Sequence, residues 1–232
     1  MRLPPNVRIA LLAAAAALIL AAAYQGLVVA EVPDGWKGER APDMFRTMFF
    51  HVASAWVTYM AFGVTFVGSF MYLRSRRLEW DALAAASAEV GVVFCTVAIV
   101  SGSLFAKGTW GVYWVWEDLK LMMTLVLWLV FVAYLALRAN MSGRQRRASQ
   151  SAVFGIVGVI CVPLSFAANR IWVTTHPTVI ASSSGDIGPG SALALMLAVV
   201  GFTLLYVHVL GTRLEVEHLR DELETLKSRV GD

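Results

Sequence analysis

Residues 121–137 read Leu121-Met-Met-Thr-Leu-Val-Leu-Trp-Leu-Val-Phe-Val-Ala-Tyr-Leu-Ala-Leu137, and Arg138-Ala-Asn-Met-Ser-Gly-Arg144-Gln-Arg146-Arg147 follows. The first seventeen residues carry no charge; the next ten carry four arginines. An uncharged run of this length suits a helix crossing a hydrocarbon layer of about 30 Å. Arginines directly behind such a run mark its cytoplasmic end. Five more apolar runs fall at about 9–30, 44–73, 82–106, 152–168 and 191–210. The chain is 58% hydrophobic and 15% charged, where a soluble domain carries about a quarter charged residues. The excess comes in blocks, which predicts an all-α, polytopic membrane protein built as a bundle of six transmembrane helices.

The first run follows Arg2 and Arg8 and contains Ala21-Ala22-Ala23, so a cleaved leader is the competing reading. Its length favours a retained helix. Of the 19 basic residues, 13 fall on one side: Arg2 and Arg8, Arg74 to Arg77, Arg138 to Arg147, and the tail from Arg213. The other side holds Lys37, Arg40, Arg46, Lys107, Lys120 and Arg170. Both termini are therefore expected in the cytoplasm, with segments 31–43, 107–120 and 169–190 outside. Beyond the membrane unit, 1–212, the segment 213–232 mixes acids and bases with Leu214, Leu219, Leu223, Leu226 and Val230 at near-helical spacing. It reads as a short amphipathic cytoplasmic helix. The net charge of +3 is modest and its basic residues sit in short clusters, which argues against nucleic acid as a partner. Cys95 and Cys161 lie inside apolar runs with no CxxC, so covalent haem attachment and thioredoxin-like chemistry are excluded.

The outward loop Lys107-Gly-Thr-Trp110-Gly111-Val-Tyr113-Trp114-Val-Trp116-Glu117-Asp118-Leu-Lys120 packs four large aromatics into seven residues. An interfacial aromatic belt is the plain explanation. A belt spreads over several helix ends, however, and here three of eight tryptophans share one loop. Spacings of three and four would place Trp110, Tyr113 and Trp114 on one helical face, a flat shelf suited to a planar ligand. His51, at the outer end of the second run, and His176, in the last outer loop, lie on the same side. Neutral imidazole ligates iron, and two imidazoles from different helices can clamp one metal from opposite faces. A porphyrin held this way needs cations for its carboxylates. Arg46 and Arg170 are the first candidates, each within six residues of a histidine, followed by Lys107, Lys120, Lys37 and Arg40. His208 reads as interfacial and His218 as a solvated tail residue. Glu89, an ionisable group inside a span, is a functional candidate; the plainer alternative has it reach the headgroups near Arg74 or Arg76.

The pattern Trp110-Gly-x-x-Trp114-x-Trp116-Glu117-Asp118 resembles the tryptophan-rich signature of haem-handling proteins of cytochrome c biogenesis. Length, topology and flanking histidines are similar to the CcmC branch, haem exporter protein C, from Met44 to Leu210. The resemblance implies a non-enzymatic role in the bacterial cytoplasmic (inner) membrane. Non-covalent haem b would be bound on the periplasmic face and passed to a haem chaperone of the CcmE type. It implies ABC-transporter subunits of the CcmA and CcmB type and a small CcmD-type subunit as partners. By position, His51 and His176 match the two axial histidines. The platform for haem and chaperone maps to Trp110, Gly111, Tyr113, Trp114, Trp116 and the acids. The family runs Trp-x-Trp-Asp; here Glu117 precedes Asp118. Either Glu117 replaces the aspartate or one residue is inserted; Lys120-Leu121 favours the insertion.

Two other classes compete. A bis-histidine electron-transfer cytochrome b would place its ligands well inside facing helices, not at helix ends. A haem–cytochrome c ligase of the related synthase type is longer, with further intramembrane histidines. Nothing resembles a nucleophile–base pair or a carboxylate dyad.

Overall fold

The structure, a computed structural model, describes residues 4–32, 41–171 and 187–230. Among these, six helical crossings form and no strand does. Helix α1, Pro5–Tyr24, opens on a proline, whose missing N–H costs nothing in a first turn. It continues through a π-helical turn, Gln25–Val29. The next two crossings are long: α2 spans Ala41–Ser75 and α3 Leu78–Trp110. At 1.5 Å per residue each reaches about 50 Å, well beyond the hydrocarbon thickness. Helix α4 is Leu119–Ala139. The fifth crossing is interrupted, as α5, Arg144–Gly158, and α6, Cys161–Ile171. Pro163 explains the break: it supplies no N–H, and its ring would collide with the Val159 carbonyl in a continuous helix. Helix α7 runs unbroken over Gly188–Val230, so residues 213–230 continue the sixth crossing without a hinge.

The six-helix bundle expected from hydropathy is what forms. The expected loop at 138–150 is shorter than the apolar pattern suggests, because α5 begins at Arg144. Helix propagates into the arginine-rich turn, which hydropathy counts as loop.

Helices α2 and α3 form the centre as an antiparallel hairpin, turned at Arg76 in the left-handed region (φ 58°). Stacked Phe62 and Phe131 (3.6 Å, 6°) join α2 to α4. Val57, Phe94 and Tyr206 form a second cluster against α7. Small hydroxyls fasten the crossings where no water competes. Ser87 donates to the Ala61 carbonyl (2.7 Å) and shares a hydrogen bond with Tyr206 (2.8 Å), joining α3 to α2 and α7.

The arginine-rich end of the bundle contains its ion pairs. Arg138 donates to both carboxylate oxygens of Asp81 (2.6 and 3.0 Å), with both side chains nearly buried. Arg8 of α1 pairs with Glu215 of α7, which places the start of the first crossing beside the end of the last. Glu89 corrects an expectation. Its partner is Arg213 on α7 (2.5 and 3.0 Å), not Arg74 or Arg76. His208 hydrogen-bonds through Nδ1 to the Arg8 carbonyl (3.1 Å), an ordinary structural role.

Candidate functional site: an aromatic cleft around His51

At the opposite end, α2 and α3 line one side of a cleft of about 1310 Å³ of empty space, open mouth included. Its α2 wall carries Met48, His51, Ala55 and Tyr59, residues three and four apart on one helical face. Its α3 wall carries Ala98, Gly102 and Ala106, a stripe of small residues. The His51 imidazole lies against that stripe. Its Nδ1 is 3.0 Å from the Ala98 carbonyl oxygen and 3.1 Å from Ser101 Oγ. A carbonyl only accepts, so Nδ1 carries the proton and a metal would meet this ring at Nε2. Gly102 makes the position possible: a Cβ there would come within 2.8 Å of the His51 Cε1. Gly102→Val should therefore push the imidazole off α3. Haem titration should read this as weakened binding with a changed Soret band, while helical content stays at the wild-type level.

The aromatic loop forms differently from the expected helical face. Helix α3 stops at Trp110, and Gly111 turns the chain in the left-handed region (φ 79°), where side chains are disfavoured. Residues 111–118 are not helical. The loop nonetheless brings Trp110, Tyr113 and Trp114 into one cleft wall. Trp114 Nε1 is buried there with no hydrogen-bond partner among the described residues, a donor placed for an acceptor from outside the chain. Trp116 is 66% exposed, packs edge-on against Trp114 (6.1 Å), and is absent from the cleft wall.

The two acids separate by environment. Glu117 is exposed. Asp118 is buried at the N-cap of α4, accepting from the backbone N–H groups of Lys120 (3.0 Å) and Leu121 (3.2 Å). The cap starts α4 and aims Lys120 into the cleft. Asp118→Ala should cost about 1 kcal/mol, and Asp118→Asn much less, read as thermal midpoints in detergent. Lys120 lines the cleft and donates to the Tyr59 hydroxyl and the Ser165 carbonyl, both at 2.7 Å. It thus ties α4 to α2 and α6.

The remaining candidate cations are placed elsewhere. Lys107 donates to the Gly111 carbonyl (2.8 Å) and sits over the Tyr113 ring, capping α3 outside the cleft wall. Arg46 stands on α2 five residues before His51, its Nε buried without a partner among the described residues, and it does not line the cleft. His176, Lys37 and Arg40 lie outside the described residues, as does the side chain of Arg170. Tyr59, Met48 and Gly102 escaped the sequence reading. The signal was present on α2 as residues three before and eight after His51, and on α3 as the small-residue stripe 98, 102 and 106.

A family model described as Heme exporter protein C matches residues 1–229. The chain belongs to the CcmC family. Individual members agree. The Heme exporter protein C of Bradyrhizobium diazoefficiens is 30% identical over 184 residues, covering 78% of this chain and 70% of that one. That of Paracoccus denitrificans is 29% identical over 191 residues, 79% and 77% of the two chains. That of Haemophilus influenzae is 25% identical over 180 residues, 77% and 73%. The CcmC membership and the six apolar crossings together make this a multi-pass membrane protein.

Proposed function

We propose that the cleft is a landing site for haem, held on the outer face of the cytoplasmic membrane and handed on during cytochrome c maturation. His51 is one axial ligand through Nε2, and His176 from the last outer loop is the other. The observation that carries this reading is a histidine locked by α3 at its Nδ1, in an apolar cleft walled by Trp110, Tyr113 and Trp114. Apolar walls bury a porphyrin's rings, and the lone donor of Trp114 and the ammonium of Lys120 suit its carboxylates. Arg46, Arg170 and Lys107 add positive charge on the same side of the membrane. The side chain of Trp116 and the exposed Glu117 face outward, as a docking edge for a haem chaperone of the CcmE type. ABC subunits of the CcmA and CcmB type and a CcmD-type subunit complete the assembly.

In this reading the chain binds and positions its cargo and catalyses no covalent step. Haem b stays non-covalent, since the chain has no CxxC, and ligation in an open-mouthed cleft by one histidine of α2 and one of a loop favours release. Haem titration into the purified chain tests it: saturable binding near one equivalent is expected. A Soret band identical to haem in detergent alone contradicts the reading. Replacing Trp116 by alanine should then weaken chaperone capture while leaving haem binding intact.

A further inference from the structure

The arginine-rich end contains a second cleft that the haem reading does not use. It lies between α3, α4, α5 and α7 and encloses about 830 Å³, open mouth included. Arg138, Arg147, Arg213, Glu89 and Glu217 provide its polar lining, and alanines of α3 its apolar wall. Two of the three arginines are matched to carboxylates: Arg138 to Asp81, and Arg213 to Glu89 and Glu217. Arg147 is not. It has no ion pair among the described residues, and its Nε is buried without a hydrogen-bond partner. It also sits in the first turn of α5, which carries no acid and begins at Gly143 with no side-chain cap. The positive end of the helix dipole therefore adds to its charge instead of offsetting it. A guanidinium left this way beside an apolar wall calls for an anion with an apolar body. Among the described residues the lining offers iron no histidine, cysteine, methionine or tyrosine, so nothing in it points to a second haem.

We propose that this cleft binds a phosphate group, that of an anionic phospholipid from the arginine-rich side of the membrane, with Arg147 as its principal cation. Basic pockets between crossings on that side suit lipid headgroups. The alanine wall accepts the glycerol and upper acyl segments, which a free phosphate would leave unfilled. Arg147 is chosen over Arg138 and Arg213 because theirs are the charges already neutralised.

Native mass spectrometry of the full-length chain in neutral detergent tests this, with phosphatidylglycerol, phosphatidylcholine and inorganic phosphate as probes. Wild type should retain phosphatidylglycerol at least about fivefold over phosphatidylcholine, roughly the effect of one arginine near a charged surface. Arg147→Gln should abolish that preference, and Arg147→Lys, which keeps the charge, should retain part of it. Arg146→Gln, at an exposed neighbour on the same turn, should leave it unchanged. Equal retention of the two lipids by wild type, or an unaltered preference in Arg147→Gln, overturns the site. Arg147-dependent adducts of inorganic phosphate without lipid retention overturn the lipid source and assign a free anion.

Discussion

Replacing Asp81 by alanine is expected to destabilise the bundle by about 3–5 kcal/mol, more than any other single change considered for its effect on stability. The substitution removes both hydrogen bonds of Arg138 and leaves its guanidinium nearly buried. A lone charge there has no carboxylate to balance it and little water. The pair itself is a different matter, because desolvating two ions offsets most of their attraction. Asp81→Ala combined with Arg138→Leu should therefore recover most of the loss. Unfolding in mixed micelles, with both variants beside wild type, checks the prediction. A double variant as unstable as the single one would show that the aspartate matters for something other than its arginine.

Replacing His51 by alanine is expected to lower haem affinity by more than about 100-fold, since loss of a mere outer partner of a metal ligand costs about 10–100-fold. The fold should tolerate it, because the side chain borders a cleft, and the Ala98 carbonyl and Ser101 are held within α3 without it. Ser101 bonds the Val97 carbonyl of its own helix in any case (2.7 Å). Ser101→Ala gives the graded comparison: the ring keeps the Ala98 carbonyl, so binding should weaken far less than in His51→Ala. Isothermal titration with haem, alongside circular dichroism, separates lost ligation from lost structure.

The membrane class and the six crossings are legible because apolar runs report burial in lipid directly. Arg74 to Arg77 and Arg138 to Arg147 gather at one end of the bundle, away from His51. What the pattern misreads is local. Residues 110–114 have the spacing of a helical face, yet Gly111 ends α3, and the aromatics converge through a loop. Asp118 ahead of an apolar run is an N-cap signal, and it caps α4 in the structure. The interruption at Val159–Ile160 is encoded by Pro163, whose effect depends on the carbonyl four residues back. Contacts across the bundle are not readable from one chain position. Asp81 and Arg138 look like ordinary charges at the ends of spans, 57 residues apart, and only packing turns them into a buried pair. Tyr59, Lys120 and Ser165 meet from three helices for the same reason.

The central proposal is that His51 and His176 hold one iron. Electron paramagnetic resonance of the ferric haem complex is its most direct measurement, made on wild type, His51→Ala and His176→Ala. A low-spin signal typical of two imidazoles is expected in wild type, with conversion to a high-spin signal in each variant. An unchanged low-spin signal in His51→Ala would contradict it.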